Sequence, residues 1–220
     1  MPFFDSLTQS VIAGDPETCV ALARQALADG LDPLDVINQG LVPGIQNTGE
    51  QFASGEMFLP DLMLAAEAMK QAIAVLEPEM ARRGTRRQVL GRVVIGTIQG
   101  DIHEIGKNLV ATMLSASGFE VHDLGVDVPP LKFAEQARAV GANLVGVSAL
   151  LTTTMVRQKE VIEALEELGL RPGVKVMVGG APVTRRWAEQ IGADGFSEDA
   201  LGAVALAKRL VCGEIPKKSR

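Results

Sequence analysis

The chain has 220 residues, a formal net charge of -6 and a hydrophobic fraction of 47%, enough to bury real cores in one large or two small domains. The acidic balance, with a sequence pI near 5.1, argues against a general nucleic-acid binder, which needs a basic face to neutralise phosphates. No apolar run approaches the roughly 20 residues of a membrane span, and Met1-Pro2-Phe3-Phe4-Asp5 lacks the pattern of a signal peptide, so a cytoplasmic protein without nucleic-acid or membrane partners is expected.

Residues 1 to about 84 carry only helical signals. Phe3 to Ile12 reads as a first helix. Asp15-Pro16-Glu17 starts a second with a cap and a first-turn proline, and Asp32-Pro33 starts a third in the same way. Val20, Ala23 and Leu27 keep a helical spacing before Gly30 ends their run. After Pro60, the positions Leu62, Met63, Ala66, Met69, Ile73, Leu76 and Met80 recur as one apolar helix face. Four helices joined by short turns imply an antiparallel bundle. Cys19 and Cys212, far apart and without motif spacing, read as small core residues in a reducing compartment.

The basic stretch Arg82-Arg83-Gly84-Thr85-Arg86-Arg87 reads as a solvated linker and hinge between domains of residues 1–84 and 89–215. From Val89 strands alternate with helices: strands near 91–98, 119–124, 143–148, 174–179 and 193–196, and helices near 104–117, 130–140, 155–168, 183–191 and 198–212. This is an α/β pattern, a five-stranded, doubly wound parallel sheet of flavodoxin-like type.

After the first strand comes Asp101-Ile102-His103-Glu104-Ile105-Gly106, at the sheet edge where open α/β folds bind ligands. A histidine there can be a metal ligand, a general base or a polar residue on a surface loop. Asp101 is placed to orient the ring, and Gly106 to admit something close to the helix backbone. The third strand runs into Ser148-Ala149-Leu150-Leu151-Thr152-Thr153-Thr154, a hydroxyl-rich loop, and the fourth into Gly179-Gly180-Ala181-Pro182, so small residues at adjoining strand ends leave a slot. Taken alone, Gly179-Gly180 is a tight strand-to-helix turn. The glycines at 96, 100 and 106 do not make a dinucleotide fingerprint, and Gly106-Lys107-Asn108 breaks the P-loop pattern. Two cysteines and two scattered histidines do not make a structural zinc site. Ser148 and Ala149 stand where a phospho-receiver domain has its acceptor aspartate.

These three loops resemble the D-x-H-x-x-G, S-x-L and G-G signature of cobalamin-binding domains. Over nearly its whole length the chain is similar to the corrinoid proteins of methanogen and acetogen methyltransferase systems and to the cobalamin module of methionine synthase. The resemblance implies base-off cobalamin or a related corrinoid, with His103 as the lower axial ligand of cobalt. Asp101, Glu104, Ile105, Gly106, Ser148, Leu150, Thr152, Gly179, Gly180 and Ala181 fall to the cofactor contacts, and the displaced nucleotide tail to the slot. Asp101, His103 and Thr154 match a ligation relay whose third member in methionine synthase is a serine. In such methyl-transfer proteins a helical cap carries a Phe and a Leu seven residues apart that shield the methyl group, and Phe52 and Leu59 have that spacing.

The resemblance further implies a carrier, non-catalytic alone, that cycles between Co(I) and methyl-Co(III). A substrate-specific methyltransferase acting on methylamine, methanol or an aryl methyl ether would load it. A second methyltransferase would pass the methyl to tetrahydrofolate or coenzyme M, and a reductive activator would restore the corrinoid. A cobalamin-responsive sensor is the alternative, disfavoured because the acidic N-terminal half offers no recognition helix.

Overall fold

The computed structural model describes residues 2–84 and 89–213, in two compact units of residues 1–88 and 89–220. Thr85, Arg86 and Arg87 of the basic stretch, and Ile215 at the expected end of the second domain, lie outside the described residues.

In the first unit, α1 (Pro2–Ile12) is followed by α2 (Pro16–Ala28), whose first turn is capped by the Asp15 carboxylate accepting from the Thr18 N–H. Asp32 caps the next helix through the Leu34 N–H. That third helix is composite: α3 (Pro33–Asp35) runs through a π-helical stretch, Val36–Leu41, into α4 (Val42–Ser54). Pro43 has no N–H to donate and its ring crowds the carbonyl one turn back, and a widened turn accommodates both. Tight packing on α1 fixes its position. A Cβ on Gly40 would stand 2.5 Å from Leu7 Cδ2, one on Gly44 2.6 Å from Val11 Cβ, and the Thr8 hydroxyl donates to the Gly40 carbonyl.

The fourth helix, α5 (Leu59–Arg83), begins one residue before Pro60, with the Asp61 carboxylate accepting from the Phe58 N–H. Its buried face is Leu62, Ala65, Ala68, Met69, Ala72, Leu76 and Met80, so the expected face needs correction. Met63 and Leu64 are exposed, because at about 100° per residue they turn away from the face that Leu62, Ala65 and Met69 share.

The second unit is a five-stranded parallel sheet of order β2-β1-β3-β4-β5, the flavodoxin-like winding expected. The strands are β1 (Arg92–Thr97), β2 (Glu120–Asp123), β3 (Leu144–Ser148), β4 (Lys175–Gly179) and β5 (Gly195–Phe196). The helices are α6 (Ile105–Ala116), α7 (Pro130–Val140), the single turn α8 (Thr152–Met155), α9 (Gln158–Glu167), α10 (Arg185–Ile191) and α11 (Ala200–Cys212). Part of the Ser148–Thr154 segment expected as a loop is therefore the helical turn α8, and the expected helix over 155–168 starts at Gln158. Val94, Val145, Val147, Val176 and Val178 build one apolar core with Phe133 and Ala134 of α7 and Val161, Ile162 and Leu165 of α9. Burying both faces explains why β1, β3 and β4 read as continuous apolar runs. Cys19 is buried as expected, whereas Cys212, the last residue of α11, is exposed. No described helix is long and apolar enough to cross a membrane.

Candidate corrinoid site

The loop after β1 is fastened at both ends before any side chain reaches outward. The Thr97 hydroxyl donates to the His103 carbonyl at 2.8 Å, and the Asp127 carboxylate accepts from the Gly100 N–H at 2.7 Å. The Asp127 N–H in turn donates to the Asp101 carbonyl at 2.9 Å. Asp127 holds a left-handed backbone, φ 54°, a conformation aspartate tolerates better than most residues.

Inside this frame Asp101 is buried and receives donors on both oxygens. Oδ1 accepts from the His103 N–H at 3.1 Å and faces His103 Nδ1 at 2.7 Å. Oδ2 accepts from the Leu150 N–H at 2.7 Å, the Thr154 hydroxyl at 2.8 Å and, more weakly, the Leu151 N–H at 3.3 Å. Burial pushes this carboxyl upward, but the bonds from Leu150, His103 and Thr154 outweigh it and hold the group well below the usual carboxylate range. An ionised Asp101 makes Nδ1 the protonated nitrogen of a neutral His103 ring, which puts the lone pair on Nε2. The ring is about half exposed, and Nε2 has no partner among the described residues.

Around it the surface is apolar. Ile102 is 74% exposed and Ile105 83%, with Leu150 and Leu151 also exposed. Next to His103 opens a cavity of about 740 Å³ running between the sheet, α6 and α11. His103, Glu104, Ile105, Gly106, Ser148, Leu150, Gly179, Gly180 and Ala181 all line it. Asp101 and Thr154 lie buried behind His103, and Thr152 opens α8 as an exposed residue that does not line the cavity. Phe52, in the last turn of α4, and Leu59, the first residue of α5, are half-buried in the helical unit.

The two glycines after β4 differ. A Cβ on Gly180, at φ 123°, would stand 1.8 Å from the Ala149 carbonyl oxygen, so loop-to-loop approach alone demands glycine there. A Cβ on Gly179 would meet nothing closer than 3.5 Å, and one on Gly106 would point into open space.

Two models, each described as a B12 binding domain, match residues 91–205 and 4–77. A corrinoid protein of Desulfitobacterium hafniense (strain Y51) is 47% identical over 96% of this chain and 98% of its own length. Trimethylamine corrinoid protein 1 of Methanosarcina mazei is 50% identical, covering 88% of this chain and 90% of its own. The chain belongs to the B12-binding corrinoid proteins. Among solved structures, a chain of the methanol:cobalamin methyltransferase complex MtaBC from Methanosarcina barkeri superimposes with a TM-score of 0.87 at 29% identity, over 97% of this chain and 81% of that one.

The residues of this corrinoid protein fit such a cofactor. An imidazole nitrogen with a free lone pair stands in an exposed apolar collar suited to a flat macrocycle, beside a cavity that Gly106 leaves clear. Three supporting residues escaped the sequence reading. Gln158 is buried and donates to the Val147 and Gly179 carbonyls while accepting from Trp187 Nε1, which ties the ends of β3 and β4 together. Lys107 is buried in an ion pair with Asp123 and also bonds Asn108. Asp127 is the third. Only a glutamine or lysine inside an otherwise amphipathic helix hints at such roles in sequence, and the partners lie too far along the chain to be inferred.

Proposed function

We propose that this chain is a methyl-carrying corrinoid protein, loaded by a substrate-specific methyltransferase and unloaded by a second one. The observation that carries the reading is the hydrogen-bonded series Thr154, Asp101, His103, which ends in an Nε2 without a partner among the described residues, at the mouth of an apolar cavity.

When bound, the corrinoid supplies a cobalt that in its lowest oxidation state takes up a methyl group and later yields it heterolytically. The chain's part is to present and withdraw a ligand. Asp101 accepts a hydrogen bond from the Nδ1–H and so would aim Nε2 at the metal, and Thr154 donates to the other carboxylate oxygen. With Nε2 free of the metal, the Asp101 carboxylate would stabilise positive charge on the ring, so that the metal and a proton would compete for the same nitrogen. We assign the nucleotide tail to the cavity beside α6 and α11, with Gly106, Ser148 and Gly179 at its entrance. Thr152 and Ala181 are assigned to the rim, and Phe52 and Leu59 to shielding the methyl group. For that last pair the support is their spacing.

The names of the relatives support the donor class: trimethylamine for one corrinoid protein, methanol for the complex of another. We infer a methylamine, methanol or aryl methyl ether as donor, tetrahydrofolate or coenzyme M as acceptor, a reductive activator as a further partner, and the cytoplasm as the compartment. The test is to reconstitute the protein with cobalamin, reduce it, and add candidate methyltransferases with each donor while following the absorption spectrum. Conversion to the methylated spectrum with one donor and its enzyme is the expected result. A protein that binds cobalamin yet is methylated in no combination, and instead changes association with a regulatory partner, would support the sensor reading.

A further inference from the structure

The cavity has depth, and its depth differs chemically from its mouth. In the sheet register Thr97, Ser148 and Gly179 align at the strand ends, and two residues earlier Ile95, Gly146 and Met177 align on the same face. Two residues along a strand is about 6.6 Å, so this second row forms a floor below the mouth. A Cβ on Gly146 would stand 3.2 Å from Ile95 Cγ1 and 3.3 Å from Met177 Cε, so these two side chains close over the glycine and give the cavity an apolar floor of aliphatic and thioether surface. Leu109 and Val110 of α6 and Ala203 of α11 wall it.

Hydrogen-bonding groups in the lining are either engaged or near the rim. Lys107 is held by Asp123 and Asn108. Asp199 caps α11 through the Gly202 N–H, and the Ser197 hydroxyl donates to the Asp199 carbonyl. Glu104 and Glu198 are exposed. The floor's backbone groups belong to the ladders of the parallel sheet, and the Ile95 carbonyl already accepts from the Leu124 N–H. Ser148, whose hydroxyl has no partner among the described residues, sits at the mouth row, a register step above the floor.

We propose that this cavity selects its corrinoid by the lower base, accepting an apolar benzimidazole-class base and discriminating against a purine. The inference rests on the reading that the nucleotide tail enters this cavity. A dimethylbenzimidazole ring fills an apolar cavity with methyl and ring carbons. An adenine would bring an exocyclic amine and ring nitrogens that exchange water for no partner, a penalty of the kind that gives strong discrimination at buried sites.

The test uses the full-length apoprotein and three corrinoids: cobalamin with its dimethylbenzimidazole, the analogue with adenine as lower base, and cobinamide, which lacks the nucleotide. Affinities are read by titration calorimetry and by the absorption change on binding. Cobalamin is expected to bind about tenfold or more tightly than the adenine analogue, and cobinamide weakest of the three. Met177→Gln places an amide on the floor and is expected to narrow the ratio between the two bases at least about threefold, with folding checked by Trp187 fluorescence. Equal affinity for cobalamin and the adenine analogue, both above cobinamide, overturns the selectivity and leaves the tail reading standing. Equal affinity for all three overturns the tail reading and the selectivity with it. The wild-type ratio decides the matter even if the variant fails to fold.

Discussion

Replacing Asp101 with Asn keeps shape and removes the charge on which five donors converge. Asparagine has one oxygen, and with that oxygen toward His103 its amide NH2 meets the Leu150 N–H head-on. The Thr154 hydroxyl can turn to the Leu151 carbonyl, already 3.0 Å away, so the Leu150 N–H loses its acceptor at about 1–3 kcal/mol, the weaker bond from the Leu151 N–H goes with it, and the bonds that remain lose their charge assistance. The sum is about 3 kcal/mol, and with an m-value of about 2 kcal/mol/M the urea midpoint falls by roughly 1.5 M. The only tryptophan of the chain, Trp187, lies in this unit and donates to Gln158, so its fluorescence follows the unfolding of residues 89–220 without contribution from the helical unit. The pH dependence gives a second signature. The folded carboxyl is held below its ordinary 3.8, so its stabilisation is fully present above that value and is lost as pH falls below it. Asp101→Asn should remove this component of the acid limb. A variant that unfolds at the wild-type urea concentration and keeps the wild-type acid dependence would refute the donor accounting.

Two other substitutions probe neighbouring parts of the site. Thr154→Val removes one donor from Asp101 and should cost about 1–2 kcal/mol by the same fluorescence assay, whereas Thr154→Ser, which keeps the hydroxyl, should recover most of it. Gly180→Ala drives a Cβ into the Ala149 carbonyl at an unfavourable φ and should cost about 3 kcal/mol or more, while Gly179→Ala stays within about 1 kcal/mol of wild type; equal effects at the two glycines would contradict the loop geometry.

The parts legible in the sequence were those whose causes are local. The apolar strand before Asp101, the proline starts at Pro16 and Pro33 and the alternation after Val89 need no distant partner to be read. Asp101 and His103, two residues apart, announced their bond in the same way. What escaped depends on long-range contact. The π-helical stretch at Val36–Leu41 answers to Pro43 and to Leu7 and Val11 on another helix. Asp127 acts on Gly100 across 27 residues, and Gln158 is recognisable only once β3 and β4 lie side by side. Periodicity mistook Met63 for core because a small-residue face, Ala65, Ala68 and Ala72, buries the helix without a continuous stripe of large side chains.

We assign His103 Nε2 as the lower ligand of the cobalt. Electron paramagnetic resonance of the bound corrinoid in its Co(II) state, with protein grown on ¹⁵N-labelled histidine and unlabelled cofactor, tests it directly. With His103 as the ligand, the nitrogen splitting of each cobalt line changes from the triplet of ¹⁴N to the doublet of ¹⁵N, and His103→Ala abolishes it. A triplet that persists in the labelled protein would mean that the cofactor's own base still occupies the position, and would contradict the assignment.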